Sequence, residues 1–173
     1  MTLTSILPSL RRSIADPLDP DVWPEHSTPT PTDVVVAGVS LCRVAAVCET
    51  PCVHTAAASV RGGHGRASRV AESAAIVVRV TAVGMDADTG TLRIDVDAAL
   101  GLVPAVLSEA RLIGRASTAY SAPVRINGLS CSASAPGHPL GALLPTDLTV
   151  GDLVAIPCSA PLSVHTLRSH AES

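Results

Sequence analysis

The stretch that most constrains this chain runs from Ala74 to Asp97. Ile76, Val78 and Val80 alternate with Val77, Arg79 and Thr81. After Met85-Asp86-Ala87-Asp88-Thr89-Gly90, a turn by composition, Leu92, Ile94 and Val96 alternate with Arg93, Asp95 and Asp97. Neighbouring side chains on a strand point to opposite faces. Period-two alternation on both sides of an Asp/Gly turn therefore predicts an antiparallel hairpin with one buried face.

Composition sets what can fill that face. Of the 173 residues 47% are hydrophobic but only 1% aromatic; Trp23 and Tyr120 are the sole aromatics and Phe is absent. The core must be built from Val, Leu, Ile and Ala, in one domain with arms, and the chain is long enough to bury it. All 12 basic residues are arginine and the net charge is −3, with charges scattered. A phosphate-neutralising stripe is not indicated, and two aromatics do not make a stacking platform for single strands. The lack of lysine excludes the Walker lysine, Schiff-base lysines and Ser–Lys dyads.

Along the chain, residues 1–14 suggest one or two helical turns with an apolar side formed by Leu3, Ile6, Leu7, Leu10 and Ile14. Pro8 breaks this run, which is too short for a signal sequence, and no stretch reaches the ~20 apolar residues of a spanning helix. The expectation is a cytoplasmic protein with its five cysteines reduced. Pro17, Pro20, Pro24, Pro29 and Pro31 then fix φ and remove donors, so residues 1–32 read as an extended arm. Leu7, Leu10, Leu18, Val22 and Trp23 are the candidate contacts of this arm with a partner subunit, either a copy of the chain or another particle subunit. For Trp23, packing on the chain's own core is the competing expectation.

Residues 33–168 read as the β-rich domain and 169–173 as a frayed end. Val34–Val36 predicts a buried strand, Ser40 caps a short helix over Leu41–Cys48, and Val53–Val60 is a further strand. Arg111–Ala116 and Val124–Ile126 are short strands, and Leu129–Gly141 is a loop. Gly151-Asp152 turns into a strand that Pro157 breaks, and Leu162–Leu167 is a last strand. The fold class is mainly β: a small barrel or sandwich with one or two short helices and an extended Pro-rich N-terminal arm.

Candidate chemistry is sparse. Cys42, Cys48, Cys52 and His54 form the densest group of metal-ligand types, with Cys131 as a spare, but the spacing lacks the paired knuckle of structural zinc sites. Buried cysteines in apolar company are the expectation, with no metal and no cofactor. Cys52 with His54 is the candidate catalytic pair of an alternative reading, a cysteine enzyme, although we expect the two not to face each other; His64, His138 and His165 are other bases. A small-molecule-binding barrel is a third reading. Asp88-Thr89-Gly90 with Leu112-Ile113-Gly114 resembles the aspartic-protease elements over a few residues, but the triplet falls at a hairpin tip, where a plain turn is expected. Asp86, Asp88, Asp95 and Asp97 lack the Gly and Glu positions of a calcium loop and are expected on the solvated side of the hairpin. The Gly62-Gly63-His64-Gly65 loop offers backbone N–H groups to an anion, without the Lys and Ser/Thr of phosphate loops.

Val-Gly-Asp-Leu-Val-Ala-Ile at 150–156 and Thr-Asp-Val-Val-Val-Ala-Gly at 32–38 resemble the turn-and-strand phrases of small phage capsid-decoration and head–tail connector proteins. The resemblance implies a virion component that forms rings or trimers and has no catalytic residues. The first reading is therefore a non-enzymatic structural module working in an assembly, with no direct nucleic-acid or membrane contact.

Overall fold

The structure is a computed structural model and describes residues 3–64, 66–86, 89–101, 103–129 and 141–168. The fold is mainly β, a nearly closed barrel-like sheet with short helices. Its organising strand is β5, Ala67–Met85. Along one edge β5 pairs with β4 (Cys52–Ser59), Cys52 opposite Val77, and then with β6 (Leu92–Val96), Val83 opposite Ile94. Along the other it pairs with β10 (Leu153–Cys158), Ile156 opposite Ile76. The expected hairpin is thus β5–β6. Val80 pairs with Val96 but Ala82 pairs with Asp95, so Thr81 is an extra residue, a bulge that bends β5 as it leaves β10.

The sheet continues from β10 to β7 (Arg111–Ile113) on one side. On the other, β6 runs parallel to β8 (Ser121–Asn127), which pairs with β9 (Ala142–Pro145). Strands β7 and β9 end the order β7-β10-β5-β6-β8-β9 and approach each other without forming a ladder. The interior is filled by Ala74, Ile76, Val78, Val80, Ile94, Val96, Val124, Leu144, Val154 and Ile156, among others. Burial of such aliphatic side chains stabilises the barrel by about 1.5–3 kcal/mol each.

One expectation needs correction here. The hairpin was expected to bury one face, yet β5 buries both over Ala74–Val78. The outward side chains Ala75 and Val77 join Cys52, Ile113 and Ala155 in a second core beneath Trp23, Val34, Val36, Leu41 and Ala45. That cover is a small sheet of β1 (Thr28–Pro29), β2 (Val34–Val36) and β3 (Val39–Ser40), followed by helix α2, Leu41–Cys48. Ser40 caps α2 as expected, its hydroxyl accepting from the Arg43 N–H. Asp33 ties the unit together by accepting from the backbone N–H groups of Val34 and Cys42 and from the Ser40 hydroxyl.

Two further expectations fail for identifiable reasons. Pro157 does not break β10; it pairs in register with Ala75. Its carbonyl accepts from Val106 N, so its missing N–H lies on the edge away from β5, beyond the end of β7, where no ladder bond is lost. Residues Val164–Arg168 form a helix, α3, rather than a strand. Ser163 accepts from His165 N at its start, and Leu167 is buried in the barrel core.

Candidate interaction surface

The N-terminal segment begins with helix α1, Leu3–Ile6, and a 3-10 turn, Pro8–Arg12. Its burial is inverted. Thr4 is 2% exposed and Arg11 7%, whereas Leu3, Ile6, Leu7 and Ile14 are 68, 55, 54 and 48% exposed. Leu3, Ile6 and Leu7 stand three and four apart, the spacing that places side chains on one side of a helical turn. A segment that only had to cover its own barrel would turn this side inward.

The inversion is held by Arg11. Its Nη1 donates to Ala119 O (2.8 Å), its Nη2 to Ser121 Oγ (2.8 Å), and its Nε pairs with Asp16 Oδ2 at 2.9 Å. Two hydrogen bonds from its Nη atoms and the Asp16 carboxylate beside it offset the burial of the guanidinium, although Nε, ion-paired with Asp16, makes no hydrogen bond. Further along, Arg111 Nη2 donates to Pro17 O (2.8 Å), and Glu109 accepts from Asp19 N (3.2 Å) and more weakly from Trp23 Nε1 (3.4 Å). These contacts lay the segment over the gap between β7 and β9. The cleft left there is bordered by Arg11, Asp16, Arg111, Arg115, Leu143 and Pro145 and has about 60 Å³ of free volume. That is room for a few waters and far below a metabolite pocket.

The expected partner contacts separate on this frame. Leu7 is exposed, Leu10 and Val22 are half-buried, and Leu18 is half-buried against the second core. Trp23 is 1% exposed and sits within that core. The competing expectation for Trp23 is the one the geometry shows, and an anchor to a neighbour is corrected: its indole would have to leave the chain's own core. Leu3, Ile6 and Ile14, which the sequence places on the apolar side of the first turns, are exposed as well. Tyr120, exposed between the two residues that Arg11 binds, and Leu143, exposed on β9, had no sequence signal beyond being apolar.

The cysteine candidates do not assemble into a reactive centre. Among the described residues no group of three His, Cys, Asp or Glu side chains is placed to hold a metal ion. Cys52 and His54 lie two apart on β4 and therefore share a face, contrary to expectation, since strand side chains repeat every second residue. Sharing a face does not activate the thiol. Burial, and then the neighbouring Cys48, push the Cys52 thiol up to about 11, and His54 Nε2 has no hydrogen-bond partner. Burial with the Asp33 carboxylate pushes Cys42 up to about 12, and burial alone does the same for Cys158. All three are protonated thiols at neutral pH, the opposite of an activated nucleophile. Cys48, at the end of α2, is exposed. Cys131 and His138 lie outside the described residues, and His165 is exposed on α3.

The remaining motifs are structural. Asp88 lies outside the described residues, while Thr89 and Gly90 follow it on the way into β6, with Gly90 at φ +65. Asp86 pairs with Arg125 (2.7 Å) and Asp95 accepts from Asn127 (3.1 Å). Asp97 was expected on a solvated face, but its carboxylate accepts from Thr50 Oγ1 (2.6 Å) and Arg79 N (2.8 Å) beside the β5–β6 pairing. In the Gly62–His64 turn an anion is already present: Gly62 N donates to the Asp21 carboxylate at 2.8 Å. A Cβ on Gly63 would meet Val60 O at 2.6 Å, which explains glycine there. An open groove of about 320 Å³ beside this turn is walled by Pro17, Pro20, Pro24 and Pro29 with His26 and His64.

No helix among the described residues is long and apolar enough to cross a membrane. Comparison with protein-family models and with curated proteins found no match to this chain.

Proposed function

We propose that this chain is a non-enzymatic docking module that works in an assembly, and that the outward apolar ridge of its N-terminal segment is the surface that docks. The observation that carries the reading is the inversion at residues 3–14: Arg11 and Thr4 are inside, Leu3, Ile6, Leu7 and Ile14 outside. Holding aliphatic groups in water costs free energy that a partner recovers by covering them. The three thiols pushed toward protonation argue against the cysteine-enzyme alternative at Cys52 and His54. The packed interior argues against the ligand-binding barrel.

A narrower form of this proposal is a component of a phage-like particle, of the decoration or connector type, acting in the cytoplasm or in the virion. Its support is the likeness of the phrases at 32–38 and 150–156. The docking reading stands without it.

The test is chemical cross-linking in the native cell with a C-terminal affinity tag, followed by mapping of the linked peptides. The expected result is a complex of fixed stoichiometry with links close to residues 3–14. A protein recovered only as an unlinked monomer would sink the proposal.

A further inference from the structure

We infer that the occupant of the N-terminal ridge is a second copy of this chain, docked ridge to ridge about a two-fold axis. This inference rests on the docking reading above and names its partner. Leu3, Ile6, Leu7 and Ile14 together leave roughly 400 Å² of side chain in water, within the range of a functional patch on a monomer. Two such ridges bury about 800 Å² in total, and Tyr120 and Leu143 at the margin bring this near the ~1,000 Å² of a specific interface. That area suits a reversible dimer rather than an obligate one.

Chemistry selects a copy over other occupants. An aliphatic ridge is complementary to itself, which an isologous contact requires. Among the described residues of this segment the exposed cation is Arg12, towards one end of the ridge. A two-fold axis perpendicular to the ridge runs the two copies antiparallel and puts the two Arg12 side chains at opposite ends; an axis along the ridge would oppose them, so the perpendicular axis is the one inferred. Arg11 is already committed to Ala119, Ser121 and Asp16. Among the described residues of this segment Arg12 is the one uncommitted arginine, and on a chain of net charge −3 that is a poor match for an anionic lipid surface, whose binders carry clusters of basic residues.

The experiment is analytical ultracentrifugation of the full chain over roughly a hundredfold range of concentration, centred on a dissociation constant on the order of 10 μM. Ile6→Arg is the test variant, because a two-fold contact brings two such charges into one apolar interface. Val70→Arg, at an exposed position on β5, is the control. Circular dichroism melts of both variants check folding. The expected result is a wild-type mass that rises from monomer to dimer, a dissociation constant at least tenfold weaker for Ile6→Arg, and no change for Val70→Arg. A wild-type chain that stays monomeric overturns the inference, as does an Ile6→Arg chain that dimerises like wild type. Binding of the monomer to phosphatidylglycerol vesicles, lost in Ile6→Ser, would overturn it in favour of a lipid surface. If the isolated chain is monomeric while links in the cell map from residues 3–14 to a different protein, self-docking fails and the docking module stands.

Discussion

Replacing Trp23 by alanine tests the division of the N-terminal region into a part that folds and a part that docks. The indole is 1% exposed, among Val34, Val36, Leu41, Ala45, Val77 and Ile113. A buried aromatic removes about 150–250 Å² from water. At ~25 cal/mol/Å² this is roughly 4–6 kcal/mol, an upper bound because the unfolded chain is not fully extended. Truncations of this type cost about 3–5 kcal/mol, against a typical total stability of about 5–15 kcal/mol. The indole N–H contributes little, since its bond to Glu109 is 3.4 Å long. Trp23→Phe, which keeps most of the apolar area, should therefore cost only about 1–2 kcal/mol. Trp23 is the only tryptophan, so urea unfolding has to be followed by far-UV circular dichroism rather than intrinsic tryptophan fluorescence. With a slope of about 2 kcal/mol/M the alanine variant should lose roughly 2 M in midpoint at unchanged slope. A shift below about 0.3 M would refute the placement of Trp23 in the core and restore it as a candidate contact for a partner.

Further consequences concern the barrel, the thiols and acid stability. Ile94→Asp places an unpaired charge inside the barrel and should destabilise by more than about 3 kcal/mol, while Asp95→Asn should change little; equal midpoints in urea would show the β5–β6 register to be wrong. Alkylation of the native protein near neutral pH should label Cys48 readily and leave Cys52 and Cys158 protected, as read by peptide mapping; Cys52 reacting at the rate of a free thiol would contradict its burial. Burial alone would raise the Asp152 carboxyl, but the Arg115 guanidinium and the Thr149 N–H outweigh it and hold the group below the usual aspartate range. Its contribution to stability is therefore full above the ordinary value near ~3.9 and is lost as pH falls below it. Arg115→Met should lower stability at neutral pH and shrink the loss between about pH 5 and 3; parallel acid losses in the two proteins would exclude the pair as a cause.

The parts of the fold legible in the sequence were those governed by local rules. The β5–β6 hairpin followed from alternation, and α2 from Ser40 ahead of a short apolar run. What stayed hidden depended on a second layer. Nothing between Ala74 and Val78 announces that both faces are covered, because a continuous aliphatic run is compatible with one buried face or two. Pro157 reads as a breaker unless it is known which edge of β10 has already lost its neighbour. For α3 a helix signal was present, Ser163 ahead of Leu167 four residues on, but five residues are too few for periodicity to decide. The ridge is the clearest case. Sequence identifies an apolar side at Leu3, Ile6 and Leu7, and only the long-range bonds from Arg11 to Ala119 and Ser121 decide that this side faces outward. The pairing of β4 made Cys52 and His54 neighbours on one face, but burial, which sequence did suggest for the cysteines, disarms the thiol.

The most direct test of the docking account combines Leu3→Ser, Ile6→Ser and Leu7→Ser in one chain and asks two questions of it. Because these side chains already stand in water, the melting transition should match wild type to within about 0.5 kcal/mol. In the cell the same variant should lose the cross-links that wild type makes near residues 3–14. A variant that melts far below wild type would show that the ridge packs into the chain's own core, and one that keeps its cross-links would show that docking happens elsewhere.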